Sequence, residues 1–243
     1  RFGARDERSM MLRFHTQTGG ATLTAQQPEN NIVRTSLEAL AAVLGGTQSL
    51  HTNAFDEALA LPTEESAKLA LRTQQVIGYE TGVAGVVDPL GGSYFVESLT
   101  DDLERLARDD LDRIEAMGGA VEAIEQGFYQ DEIHESAVRI QRGMEDGSRV
   151  VVGVNTFLAD ERPPPELQRI ADAEVDRQVA RVRELRAARD AGAVEAGLAA
   201  VRRAAEGTEN LLPPMREALR ARATLGEVSD VLREVFGEHR PGY

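Results

Sequence analysis

Apolar positions along the first ninety-odd residues alternate between two patterns. Short runs of strand length fall at residues 9–15, 48–51 and 83–87, and segments of helical period fill the intervals at 27–44 and 63–79. The first helical segment opens at Pro28 and stops at Gly45-Gly46, the usual asymmetry of helix start and stop. The second has Thr63 in the N-cap position, with Glu64 and Glu65 in the first turn, where negative charge suits the helix dipole. Strand, helix, strand, helix, strand predicts parallel pairing through crossover helices, about half a barrel's worth of units.

Beyond Thr100 the pattern becomes helical. Leu103, Leu106, Ala107, Leu111, Ile114 and Met117 share one face before Gly118-Gly119. A short helix at 121–124, a longer one at 131–145 and an isolated buried strand at 150–154 follow. Pro163-Pro164-Pro165 interrupts the chain ahead of a charge-rich helix whose apolar side carries Leu167, Ile170, Val175, Val179, Val182 and Leu185. Residues 193–236 continue helical, broken at Gly207 and Pro213-Pro214. The fold class is therefore α/β: the C-terminal portion of a β/α barrel followed by a mostly helical extension. No repeat of solenoid length is present.

Composition narrows the functional classes. The 243 residues carry a net charge of −14, which disfavours a nucleic-acid surface, since phosphates need a basic patch. No apolar run reaches the length of a membrane helix and no secretion signal is visible, so no membrane partner is expected. Cysteine is absent, which removes disulfides and thiolate metal sites and fits a cytoplasmic protein. The chain starts Arg1-Phe2-Gly3, without an initiator methionine, and reads as a piece of a longer polypeptide.

Candidate chemistry gathers at two strand ends. Arg13-Phe14-His15-Thr16-Gln17-Thr18-Gly19-Gly20 and Gly45-Gly46-Thr47-Gln48-Ser49-Leu50-His51-Thr52-Asn53 each lead through imidazole, amide and hydroxyl groups into a loop. Strand ends of this kind converge on one site at the carboxyl edge of a parallel sheet. His15 and Gln17, two apart on a strand, point to one face. They either line a ligand cavity, with Gly19-Gly20 letting the ligand approach the backbone, or only satisfy backbone groups at the rim. Gln48 and His51 repeat the theme, with Asn53, Asp56 and Glu57 behind them. A His15/His51/Glu57 metal cluster lacks any HxxxH or HxH spacing, and a carboxylate facing ribose hydroxyls is the sharper reading of Glu57. Asp88-Pro89-Leu90-Gly91-Gly92-Ser93 lacks the lysine of a phosphate loop and reads as a structural turn. His134 falls on a solvated helical face and His239 at a terminus.

The motifs already quoted, with Leu23-Thr24-Ala25-Gln26, Asn30-Asn31-Ile32-Val33-Arg34-Thr35, Asp56-Glu57-Ala58, Leu61-Pro62-Thr63 and Val152-Gly153-Val154-Asn155, together resemble the large subunit of adenosylcobalamin-dependent acyl-CoA mutases, the methylmalonyl-CoA mutase family. The resemblance is ordered from Met10 to Asn155 and weaker near Thr224-Leu225-Gly226-Glu227 and Val235-Phe236-Gly237-Glu238-His239. It implies a (β/α)8 TIM barrel threaded by coenzyme A. Residues 1–97 would be its last β/α units and 98–243 a helical extension wrapping it. Adenosylcobalamin would cover the barrel mouth and start a radical rearrangement of the acyl carbon skeleton. The default reaction is (R)-methylmalonyl-CoA to succinyl-CoA, with isobutyryl-CoA or 2-hydroxyisobutyryl-CoA mutase, or a non-catalytic assembly fragment, as alternatives.

By that resemblance, Arg13, His15, Gln17 and Gln48 match substrate-binding positions, Gln48 at the thioester end. Gln17, Gly20, Glu57, Ala58, Leu61 and Gln141 match cofactor-binding positions, Glu57 at the adenosyl ribose. The family's carboxylate-reading tyrosine and arginine and its thioester-binding histidine lie upstream, so no catalytic residue and no metal ligand is assigned within this chain. The cobalt-ligating Asp-x-His-x-x-Gly is also missing: His239 has Gly242 after it, but Gly237 where the aspartate belongs. The implied partners are an acyl-CoA substrate, the N-terminal barrel portion and a separate small cobalamin-binding subunit in an oligomer.

Overall fold

A β-α-β crossover positions everything of interest. In the computed structural model, which describes residues 3–160 and 165–239, strands β1 (His15–Gln17) and β2 (Ser49–His51) pair in parallel, and helix α2 (Asn30–Leu44) connects them. The register sets His15 opposite Ser49, Thr16 opposite Leu50 and Gln17 opposite His51. Because side chains alternate across a strand, His15, Gln17, Ser49 and His51 share the exposed face, and Thr16 and Leu50 the half-buried one. Gly45 caps α2 by donating to Ala41, and Gly46 turns the chain back at φ +79°. Helix α3 (Glu64–Glu80) starts where expected: the Thr63 hydroxyl accepts from Ser66 N–H.

Three expected strands are shorter or absent. Residues 9–15 split, because Asp6 accepts from Arg8 N–H and caps a single turn, α1 (Glu7–Met10). Pairing waits until His15, since the Phe14 N–H is taken by the Gln48 side chain at 2.9 Å. Residues 83–87 leave α3 through Gly82 at φ +74° into a 3-10 turn, Val83–Gly85. Val86 then has extended dihedrals without a ladder neighbour, and a lone strand cannot satisfy its own backbone. Among the described residues the sheet has two strands. Residues 150–154 form a tight turn with one bridge, Val152 to Thr156. Asn155 holds it, accepting from Val151 N–H and donating to Met144 and Arg149 carbonyls. Gly153 is buried there at φ +82°, with the Gln27 amide where a side chain would stand.

The chain divides after Arg169 into two compact units. The first also contains α4 (Tyr94–Ala116), capped by Ser93 and so longer than its apolar face alone predicts, then α5 (Ala120–Glu125) and α6 (Phe128–Glu145). Helix α4 buries none of its residues: Tyr94 is 96% and Phe95 75% exposed, and Leu99, Leu103, Leu106 and Leu111 are open too.

The second unit consists of α7 (Asp172–Ala188), α8 (Ala191–Glu206), α9 (Leu212–Arg220) and α10 (Leu225–Phe236). Helices α8 to α10 close on a core of Val194, Val201, Ala218, Ala223, Val228 and Val231. Gly197 lets α8 approach α9, since a Cβ there would lie 2.9 Å from Ala218 Cα. Pro213 and Pro214 sit in the first turn of α9, where a missing N–H costs nothing, so they start a helix. Of the tripeptide expected to interrupt the chain, Pro163 and Pro164 lie outside the described residues, as do Arg1, Phe2 and residues 240–243. Among the described residues no helix is long and apolar enough to cross a membrane.

Candidate functional site

The carboxyl ends of β1 and β2 run into one hydrogen-bonded cluster. After Gln17 the ladder extends by one bond, Thr18 N–H to His51 carbonyl at 3.0 Å. Thr18 is buried and turns its hydroxyl to accept from Asn53 N–H at 2.9 Å. Asn53, 2% exposed, is the hub. Its Oδ1 accepts from Gln17 Nε2 at 3.0 Å, and its Nδ2 faces both the Thr18 carbonyl at 3.1 Å and Glu57 Oε1 at 3.2 Å. A buried amide satisfied on both ends has one orientation, so it fixes the two exposed side chains that it touches.

Gly20 completes the cluster. It opens a 3-10 turn, Gly20–Thr22, and a Cβ on it would come 2.6 Å from Glu57 Oε1 and 3.2 Å from Asn53 Nδ2. Only glycine leaves that space to the carboxylate. Behind the cluster, buried Thr52 donates to the Ala70 carbonyl and accepts from Gln74, docking the β2 end on α3. Buried Asp56 accepts from Thr63 N–H through Oδ2, and its Oδ1 has no protein partner. Asn31 on α2 is fully buried and bonds the backbone of Thr24 and Phe55, tying the two loops together.

The residues expected from sequence separate into groups. Gln17, Gly20 and Glu57 come together through Asn53. His15 lies on the same strand face, its Nδ1 2.7 Å from Ser49 Oγ, which orients the ring. Ala58 and Leu61 are exposed on the turns that follow Glu57. Gln48 is elsewhere: it enters β2 from the opposite end, accepting from Phe14 N–H and donating to the Gly46 carbonyl at 2.7 Å. Arg13 is exposed ahead of β1, with its guanidinium 3.7 Å from Met11 Sδ. Gln141 is on α6 and donates to Glu145 one turn on. His15, His51 and Glu57 form no metal-ligand group among the described residues.

Asn53 is the residue of the cluster that pattern reading underrated. Its signal was its place directly after the β2 strand end, but its partners Thr18 and Gln17 are 35 and 36 residues away. A separate groove runs along α6, lined by His134, Arg139, Arg142 and Asp146. Its polar order is local, Ser148 bonding Asp146 and holding that carboxyl below the usual range. The strand-end cluster, with buried amides aiming exposed ones, is the better-built site.

The donor set suits a large hydroxylated cofactor. Glu57 is exposed, and one of its oxygens already accepts from Asn53, which leaves acceptor capacity for ribose hydroxyls. Glycine at 20 leaves its side-chain space to that carboxylate.

Residues 1–238 match the sequence profile of methylmalonyl-CoA mutase. The chain is 46% identical over 242 residues to the 2-hydroxyisobutanoyl-CoA mutase large subunit of Aquincola tertiaricarbonis, covering 99% of this chain and 43% of that protein. It is 48% identical over 239 residues to methylmalonyl-CoA mutase of Escherichia coli (strain K12), covering 98% of this chain and 34% of that one. With mitochondrial methylmalonyl-CoA mutase of Homo sapiens it shares 45% over 241 residues, 98% of this chain and 32% of the relative. The chain thus spans less than half the length of these curated relatives.

Proposed function

This chain belongs to the methylmalonyl-CoA mutase family, and from that premise we propose that it forms part of an adenosylcobalamin-dependent mutase that isomerises the carbon skeleton of an acyl-CoA. Residues 1–97 are the last β/α units of a (β/α)8 barrel and residues 98–243 its helical extension. The β1-α2-β2 crossover supports that reading, and so do the uncovered apolar side chains of α4, which suit a longer polypeptide packed around them. The N-terminal barrel portion and a small cobalamin-binding subunit are the partners.

The observation that carries the reading is the Gln17–Asn53–Glu57 chain of hydrogen bonds against Gly20. Glu57 accepts from the adenosyl ribose hydroxyls, and Asn53 keeps its carboxylate in place. Gln17 presents its amide carbonyl, and His15 its Nε2, toward substrate and corrin, because Gln17 Nε2 and His15 Nδ1 are already engaged. Gly20, Ala58 and Leu61 border the corrin, with Gln141 contributing an amide on the cofactor side. Arg13 and Gln48 are substrate-binding positions by the family likeness, Gln48 at the thioester end. When bound, adenosylcobalamin supplies the radical chemistry that the side chains lack. The protein's part is orientation and the exclusion of water from a reactive site.

Methylmalonyl-CoA is the substrate of first choice. A second reading, 2-hydroxyisobutanoyl-CoA, is favoured by the 46% identity to the mutase large subunit named for that substrate. Both readings are tested in the complete enzyme by titration with adenosylcobalamin and each acyl-CoA while following the corrin spectrum. Glu57→Ala weakens adenosylcobalamin binding by about 1–3 kcal/mol, the usual cost of leaving buried polar groups unmatched. Unchanged affinity removes Glu57 from the site.

A further inference from the structure

We propose that Glu38, on α2, is the positioning residue for the Glu57 carboxylate, acting through the Gly19–Thr22 turn. This rests on the adenosyl-binding reading of the strand-end cluster. Glu38 is half-buried and spans both ends of the turn. Its Oε2 accepts from Gly19 N–H at 2.7 Å, and its Oε1 lies 2.6 Å from the Thr22 hydroxyl. That hydroxyl is also 2.7 Å from the Gly19 carbonyl, so its single proton is shared between the two acceptors. The turn itself is held by little else: Thr22 N–H to Gly19 and Leu23 N–H to Gly20, both at 3.1 Å, with no side-chain cap of its own. A carboxylate accepting from neutral donors makes bonds stronger than the turn's own. Glu38 therefore fastens a single weak turn to a 15-residue helix.

The fastening bears on chemistry because Gly20 in that turn is the wall beside Glu57. Glu57 Oε1 occupies the space that a side chain at position 20 would take, so the placing of the turn decides how that carboxylate sits. A shift of the turn disturbs the 3.2 Å bond from Asn53 that aims Glu57. The strand ladder, the Thr18–Asn53 pair and the Asn31 contacts do not involve Glu38, so losing it leaves the crossover folded.

The test uses the complete mutase, titrated with adenosylcobalamin and with methylcobalamin, which lacks the adenosyl group. Glu38→Ala weakens adenosylcobalamin about tenfold, the cost of one misaligned charged hydrogen bond to Glu57, and leaves methylcobalamin affinity unchanged. Glu38→Gln recovers part of the loss, because its carbonyl still accepts from Gly19. Adding Glu38→Ala to Glu57→Ala produces no further loss. Thr22→Val, which removes the second anchor, gives a smaller weakening and carries the comparison if Glu38→Ala does not fold. Equal weakening of both corrinoids, or additive losses in the double variant, overturns the positioning role. Normal adenosylcobalamin binding by Glu57→Ala alone would instead remove the reading on which it rests.

Discussion

The strand ends of the first unit and the helical core of the second are ordered by different forces. In α8–α10, Val201 and Val228 are buried among alanines and valines, and close packing at Gly197 does the rest. Around β1 and β2 the largest fully buried side chains are polar, Asn31, Asp56 and Ser66, and amides and hydroxyls of Asn31, Thr52 and Asn53 reach backbone carbonyls 18 to 35 residues away. A core closed by apolar burial carries its specification in a few helical turns. A region held by hydrogen bonds can keep exposed side chains aimed at a ligand while leaving apolar helix faces for other chain to cover.

That contrast is breakable in three ways, beginning with the largest effect. Val201→Asp puts an unpaired charge where exposure is 0%, and it destabilises the α8–α10 unit by about 4 kcal/mol or more, read by chemical denaturation. Retained stability would mean that the second unit is not held by this core. Glu57→Ala comes next and has the opposite profile: it lowers cofactor affinity and leaves the denaturation curve where it was. A large loss of stability there would make the strand-end cluster structural.

The smallest effect concerns the Arg189–Glu227 ion pair of the second unit. Arg189 donates to both Glu227 oxygens, at 2.7 and 2.5 Å, while Thr224 N–H and hydroxyl also bond that carboxylate in a capping box. The Arg189 hydrogen bonds first, and then Thr224, hold Glu227 down to about 2. The folded pKa is below the unfolded one, so its stabilisation is complete above the ordinary value of 4.5 and fades as pH falls from there toward about 2. Helical melts of Glu227→Gln should show less loss of stability across that window than the unmodified protein. Equal losses would assign acid sensitivity to other carboxylates.

The sequence made the frame legible where local rules suffice. Thr63 capping α3, Gly45 closing α2 and the β1–β2 pairing across it all follow from residues within a few positions of each boundary. Val83–Val87 and residues 150–154 have strand-like composition, but composition does not say whether a neighbour is present to pair with. The 150–154 turn is decided by Asn155 and by Gln27 packed on Gly153, a contact across more than a hundred residues. The site was half legible. Gln17 and Glu57 stand out as polar groups near strand ends, with Gly20 as the residue that gives them room, whereas the amide of Asn53 and the carboxylate of Glu38 bond partners brought near only by the crossover.

The most direct measurement is a structure of the complete enzyme with adenosylcobalamin bound. The account predicts the Glu57 carboxylate within about 3 Å of a ribose hydroxyl, with Asn53 still bridging Glu57 and Gln17. An adenosyl group held by other residues, with Glu57 bonded only to protein, would contradict it.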